Sequence, residues 1–308
     1  MKLEDKIPNI NKYLKEGFEY IEPHESSKPC LSVPDIVLKY GNVSGKFKTI
    51  PFMGHYMVGC INQVMKSYRN MHNAPDKTKT KISKSELYDL KAYIKSLGIN
   101  EIGFTKVDSS HIFSNRKIMH QNAIVLIMEM KKDIINTAPS IKANKEIFRT
   151  YYQLGYAANK IKEHLNKLGF SAQAGPALGG EAHYPSLAQK AGMGYIGKHG
   201  LLITPQHGAS LRIGAVYTNI DNLPYTDNDD HVWINDFCTS CLKCVKKCPA
   251  QAIYHENKID ENGFFECIDY KKCAVPFSNN YGCTVCVKEC TFTKSQYNKI
   301  YSIFYKNK

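Results

Sequence analysis

Nine of the eleven cysteines lie between Cys238 and Cys290, and seven of those nine fall in two short runs. The first run, "CTSCLKCVKKCP" (238–249), has the spacing C-x2-C-x2-C-x3-C-P. The second, "CTVCVKEC" (283–290), has C-x2-C-x3-C. A block of thiols in a chain that begins without an apolar leader reads as metal ligation, not as a disulfide framework. The chemistry that needs this spacing is an iron–sulfur cubane. A tight turn with two residues between sulfurs points three thiolates into one bowl, while the fourth cysteine, followed by proline, faces a second bowl. The assignment is crossed. Cys238, Cys241, Cys244 and Cys290 serve one [4Fe–4S] cluster. Cys248, Cys283 and Cys286 serve the other, with an eighth thiolate from Cys267 or Cys273 in "ECIDYKKCAVPF". Zinc knuckles also use C-x2-C, but the ordered set ending in Cys-Pro favours iron. Cys30 and Cys60 stand apart and read as small buried residues.

A second stretch, "AGMGYIGKHG" (191–200), carries Gly192, Gly194 and Gly197 in the order G-x-G-x-x-G. A dinucleotide turn needs a strand before the first glycine, a helix after the last and an acid about twenty residues on. Here the helical "SLAQKA" comes before, the extended "KHGLLITP" after, and "GASLRIGAVYTNI" has no acid. The dinucleotide reading fails. Two roles remain. The glycines let the backbone approach a flat ligand or a cluster, with Lys198 and His199 presented to it, or they form a tight turn that packs a helix on a strand.

The elements that must position these groups form an α+β pattern. A helix is expected over 55–70. Ser83 and Glu86 form a capping box that opens a helix over 84–97, closed by Gly98. "EIGFTKV" (101–107) and "NAIVLIMEM" (122–130) read as strands, the second apolar enough to be central. A long amphipathic helix runs over about 140–168. A short strand at "SAQAGP", a short helix at "YPSLAQKAG" and a strand pair around 200–218 follow. The acidic 221–236 reads as a linker, so the expected domains are 1–225 and 226–308. The formal charge is +13, with only four arginines among 41 basic residues. Scattered lysines of this kind read as solvated surface, and bound clusters would offset part of the charge. No apolar run long enough for a membrane span is visible, and the expected location is cytoplasmic.

Taken together, "LAQKAGMGYIGKHGLLITPQHG", "CTSCLKCVKKCPAQAI", "DYKKC" and "GCTVCVKEC" resemble the epoxyqueuosine reductase and reductive dehalogenase group over roughly residues 145–292. The resemblance implies a nitroreductase-like domain holding cobalamin, followed by a small two-cluster ferredoxin-like domain. It implies electrons entering from a low-potential ferredoxin or flavodoxin and a small-molecule or tRNA substrate. It makes Gly192, Gly194, Gly197, Lys198 and His199 the cofactor-binding candidates, and it favours Cys273 as the eighth ligand. This sequence departs from the pattern in places. Gln173 stands where epoxyqueuosine reductases carry an aspartate. The insertion "ALGGEAHYP" then offers Glu181, His183 and Tyr184 as proton donors, Tyr184 by analogy with the dehalogenase tyrosine. Cys290 precedes Thr291 where the group usually has proline. The alternative from another class is a ferredoxin-type electron-transfer protein with no corrinoid chemistry of its own.

Overall fold

The computed structural model describes residues 9–30, 33–226, 228–259 and 265–306. Two helices, α1 (Val33–Tyr40) and α2 (Val43–Arg69), precede α3 (Lys84–Ser96). Strands β1 (Glu101–Lys106) and β2 (Asn122–Glu129) follow, then the single turn α4 (Lys132–Ile135), the long α5 (Ile141–Lys167) and β3 (Ala172–Gly175). Next come α6 (Tyr184–Lys190), the short β4 (Tyr195–Ile196) and β5 (Leu202–Ile203), and β6 (Leu211–Thr218). The cysteine-rich part holds α7 (Trp233–Cys241), α8 (Lys243–Lys247), the hairpin β7 (Ile253–Ile259) and β8 (Phe265–Ile268), α9 (Tyr270–Asn279), α10 (Val285–Glu289), α11 (Thr291–Lys294) and α12 (Tyr297–Lys306).

The central sheet has the order β1-β2-β6-β3, with every neighbouring pair antiparallel. Alternation along β2 builds both of its faces. Ile124, Leu126 and Met128 point to the layer that holds Leu154, Ala158, Ile161 and Leu165 of α5. Ala123, Val125 and Ile127 point the other way, into the layer with Leu187, Ala188 and Ala191 around α6. Burial on both faces is why this strand reads as an unbroken apolar run. The capping box forms: the Ser83 hydroxyl accepts from the Glu86 N–H, and the Glu86 carboxylate accepts from the Ser83 N–H.

Two boundaries differ from the sequence reading. The helix expected over 55–70 extends back to Val43, through Gly45, Pro51 and Gly54, residues that argue locally for a break. The expected linker 221–236 ends early, because α7 starts at Trp233. That indole is buried among Phe237, Phe292, Tyr297 and Phe304, and its Nε1 donates to the Tyr297 hydroxyl at 2.8 Å. Its partners lie far along the chain, where a local window cannot see them.

The cysteine-rich part shares a core with the sheet. Met130, Ile135, Ile147, Ile203 and Ala209 pack with Trp233, Ile234, Val287, Phe292 and Ile300. Asn144 Nδ2 donates to the Tyr281 carbonyl at 2.6 Å, and Lys288 Nζ to the Ala138 carbonyl at 2.8 Å. Among the described residues, no helix is long and apolar enough to cross a membrane.

Leu154 is fully buried beneath the sheet. Leu154→Ala is expected to cost about 2–5 kcal/mol in denaturant unfolding. Tyr88→Ala, at a side chain 75% exposed, should stay within about 0.5 kcal/mol of the parent.

Candidate metal centre and adjoining polar pocket

Two local structures of the same design present most of the thiols. In the first, α7 carries Cys238 and Cys241, one turn apart at its end. Leu242 then takes a left-handed conformation (φ 48°), the five-residue α8 carries Cys244, and Cys248 leaves it extended (φ −66°, ψ 116°). In the second, Cys283 (φ 48°) and Thr284 (φ 65°) are left-handed, the five-residue α10 carries Cys286, and Cys290 leaves it extended (φ −60°, ψ 130°). Non-glycine residues in this region cost energy. Here the strained turns let sulfurs two or three positions apart face one bowl.

The thiols gather in two sets. Cys238, Cys241, Cys244 and Cys290 line one recess together with Lys198, His199 and Thr291. Cys286 interacts with Cys273, Cys283, Cys244 and Cys248, and Cys273 with Cys283 and Cys248. Cys248 and Cys290, each at the end of one short helix, therefore lie with the other helix's set. Burial pushes the thiols up, Cys238 and Cys290 to about 12 and Cys244 and Cys273 to about 11. Ligation by thiolate must displace those protons. Among the described residues, no three His, Cys, Asp or Glu side chains converge tightly enough for a single metal ion. Cys267 sits elsewhere, its Sγ 3.8 Å from where a Gly200 Cβ would stand. Burial raises its thiol and Lys198 opposes the rise. Cys60 is buried on α2, its thiol facing the Phe148 carbonyl and held at about 12 by burial.

The glycine stretch behaves differently from a ligand cradle. A Cβ on Gly194 would stand 2.1 Å from the Ile203 carbonyl oxygen, one on Gly197 2.5 Å from the Ile203 side chain, and one on Gly192 2.8 Å from Asn228 Oδ1. The space these residues leave is filled by the protein itself. Of the two roles open to Gly192, Gly194 and Gly197, these contacts favour the packed turn: they bring the end of α6 and β4 against β5, Thr226 and Asn228. Lys198 and His199 do face a candidate site, the thiol recess. The Lys198 backbone N–H points at the Cys238 sulfur, and its ammonium acts on the same thiol. His199 Nδ1 accepts from the Leu201 N–H at 3.1 Å, so the proton sits on Nε2. Burial lowers the ring to about 4, and Nε2 has no partner among the described residues.

A second, fully buried polar group lies on the α6 side of the sheet. Glu181 is 0% exposed. Burial raises its carboxyl to about 8, with Arg116 pulling the other way. The Tyr184 hydroxyl lies 3.4 Å from Glu181 Oε2 and 3.2 Å from the Pro176 carbonyl. The Tyr184 hydroxyl can thus donate to Glu181 Oε2 or to the Pro176 carbonyl. Tyr217, directly across from Gln173 in the β3–β6 register, adds a third group. Gln173 Oε1 accepts from the Met119 N–H at 2.7 Å. Glu181 Oε1 and Gln173 Nε2 are buried without hydrogen-bond partners among the described residues, and the Tyr217 hydroxyl is buried beside that of Tyr184. His183 does not join them. Its ring pairs with Ser186 Oγ at 2.7 Å, and its surroundings lower it to about 4 by desolvation. Of the three sequence candidates, Glu181 and Tyr184 come together and His183 is separate. Tyr217 was missed, although alternation along "GAVYTNI" places it on the face of Gln173.

With this geometry, the comparisons with known proteins are informative. A sequence model of the 4Fe-4S binding domain matches residues 231–254. A tetrachloroethene reductive dehalogenase from Desulfitobacterium hafniense is 32% identical over 187 residues, 56% of this chain and 33% of that protein. An epoxyqueuosine reductase from Listeria monocytogenes is 32% identical over 122 residues, 37% of this chain and 31% of that protein. The chain is similar in sequence to members of both groups. It spans about a third of the length of these curated relatives. In fold it is similar to the catabolic reductive dehalogenase NpRdhA, with a TM-score of 0.72 at 18% identity over 93% of this chain and 45% of that one. Another solved dehalogenase, described through B12-dependent dehalogenation, gives a TM-score of 0.66 at 19% identity over 79% and 37%.

Because the Glu181 carboxyl is raised in the folded state, the native protein holds a proton that the unfolded chain releases between about pH 4.5 and 8. Its contribution to stability is complete below that window and is lost as pH rises through it. Thermal unfolding of the parent should therefore weaken from pH 5 to 8 relative to Glu181→Gln, by at most about 1.4 kcal/mol per pH unit. Parallel profiles for the two proteins would refute the raised carboxyl.

Proposed function

We propose that the chain is an iron–sulfur oxidoreductase in which two [4Fe–4S] clusters feed a corrinoid that reduces a small organic substrate. The observation that carries this reading is the gathering of eight thiols into two sets, one helix away from a buried acid–tyrosine pair. In this reading Cys238, Cys241, Cys244 and Cys290 hold one cluster and Cys248, Cys273, Cys283 and Cys286 the other. Sulfurs spread around a recess suit a cubane, with one iron at each corner, better than a single tetrahedral ion. The unpartnered His199 Nε2–H and the Lys198 N–H supply donors to the first cluster.

For the corrinoid, the support is the pair of buried polar atoms without partners, Gln173 Nε2 and Glu181 Oε1, together with the nitroreductase-like first domain that the sequence resemblance implies. Such atoms are costly unless a ligand satisfies them. Cobalamin, when bound, would supply the low-valent cobalt that reduces the substrate. The chain's own part is orientation and protons. Tyr184 offers its hydroxyl proton to the reacting group, and Glu181, protonated near neutral pH, replaces it across 3.4 Å. A general acid within hydrogen-bond reach of the reacting atom contributes typically about 10²–10⁴-fold. The burial of both groups favours a small molecule over a nucleobase carried on tRNA. An acidic, low-potential ferredoxin or flavodoxin is the proposed electron donor.

A second reading, an electron-transfer protein without a corrinoid, is favoured by one observation: the protein's own atoms fill the spaces at Gly192, Gly194 and Gly197. Anaerobic preparation with cobalamin supplied separates the two. The first reading expects about eight irons per chain and cobalt that survives gel filtration. Retained iron without cobalt supports the second, and zinc in place of iron overturns both. Within the cluster assignment, Cys273→Ser should lose iron from one cluster, while Cys267→Ser keeps the full complement. The reverse result would exchange the two residues' roles.

A further inference from the structure

The two short cysteine-bearing helices end alike but continue differently. Cys248 is followed by Pro249, which has no N–H, and Cys290 by Thr291. The backbone does not ask for threonine there. Cys290 is extended (φ −60°, ψ 130°), the conformation favoured before proline, and Thr291 occupies the first position of α11, where proline is well tolerated. What threonine adds is its hydroxyl, and Thr291 Oγ1 lies 3.2 Å from Cys241 Sγ, inside the thiol recess. Once Cys241 is a thiolate ligand it can only accept, so the hydroxyl is the donor.

This contact completes a pattern. In the same set, Cys238 faces the Lys198 N–H, Cys244 the Val245 N–H, and Cys290 the Phe292 and Thr293 N–H groups. Cys241 receives its donor from Thr291. The second set has the Ala252 N–H at 3.3 Å from Cys248 and the Val285 N–H at Cys283. The Lys198 ammonium adds positive charge on the first set. A cluster gains negative charge on reduction, and that charge spreads onto its thiolates. Donors to those sulfurs stabilise the reduced form more than the oxidised one and raise the potential.

Resting on the two-cluster reading above, we propose that Thr291 is a positioning residue whose hydroxyl, hydrogen-bonded to Cys241, raises the reduction potential of the cluster held by Cys238, Cys241, Cys244 and Cys290 above that of its neighbour. Electrons then run downhill from the Cys248, Cys273, Cys283 and Cys286 cluster toward the side where Lys198 and His199 meet the first part of the chain. Thr291 adds its hydroxyl to a difference that the Lys198 ammonium and the backbone donors of the first set already favour.

The test is an anaerobic potentiometric titration of the full chain with its clusters loaded, followed by electron paramagnetic resonance. Thr291→Val keeps the shape and removes the hydroxyl. Thr291→Pro copies the Cys248–Pro249 turn. Thr291→Ser retains the donor. In both the valine and proline variants, the more positive midpoint should fall, with an about tenfold change in the reduction equilibrium, roughly 59 mV for one electron. The other midpoint should stay in place, and Thr291→Ser should match the parent. Unmoved midpoints in Thr291→Val with about eight irons bound would overturn this inference alone. A parent protein that cannot hold iron for two cubanes would overturn the two-cluster reading and the inference with it.

Discussion

Each short helix in the cysteine-rich part ends on a cysteine that lies with the other helix's set, and that exchange constrains everything around it. Cys248 leaves α8 extended and joins Cys273, Cys283 and Cys286; Cys290 leaves α10 extended and joins Cys238, Cys241 and Cys244. Neither set is complete within its own run. The two turns must therefore be held in a fixed relation, although each contains left-handed non-glycine residues that are costly alone. The compensation is packing. Val287 and Cys290 sit in the same core as Trp233, Phe292 and Ile300, and that core continues into Met130, Ile135 and Ile203 of the sheet-bearing part. A cluster domain floating on a linker would lack this brace.

The same segment that braces the recess also leads to the polar pocket. From Tyr184 the chain runs through α6 into β4 and on to Lys198 and His199, with close-packed glycines keeping the path short. One end carries a buried acid and a tyrosine, the other a backbone donor and a neutral imidazole facing thiols. Burying Glu181 as a carboxylate would be expensive, and Arg116 offsets only part of that cost, so the group remains protonated into the neutral range. A carboxylic acid that still has its proton near neutrality, within reach of a phenol, is suited to supply protons where electrons arrive. In the proposed function, this one continuous stretch would couple the thiol recess to a proton store.

Much of this was legible in the sequence because it is local. The Ser83 and Glu86 cap, the apolar run of β2 and the spacing of seven cysteines each carry their meaning within about ten residues. The losses occurred where meaning depends on distant partners. Trp233 was assigned to a linker because its neighbours in the chain are polar and acidic, while Phe292, Tyr297 and Phe304 decide its burial. His183 is close to Glu181 and Tyr184 in sequence, yet its ring turns to the Ser186 hydroxyl. Tyr217 was overlooked because a lone tyrosine in a strand carries no motif. Only the pairing of β3 with β6 brings it to Gln173. The glycines were half understood: the inverted order excluded a dinucleotide turn, but what fills the space beside Gly194 is a carbonyl on β5 that only the folded chain brings there.

The charge also takes on a different meaning in the folded chain. A formal +13 invites a search for a nucleic-acid face. Several of the lysines near the thiols have other work. Lys198 is buried against Cys238, Lys243 lines the same recess, and Lys288 is tied to the Ala138 carbonyl. The two proposed cubanes with their eight thiolates would carry roughly −4 together, by simple charge counting, which would bring the loaded chain to roughly +9. The positive charge closest to the recess is thus matched to negative charge that arrives with iron. Such cations favour the reduced, more negative state of whatever they surround. In the proposed function, the lysines beside the recess would give electrostatic support to electron transfer.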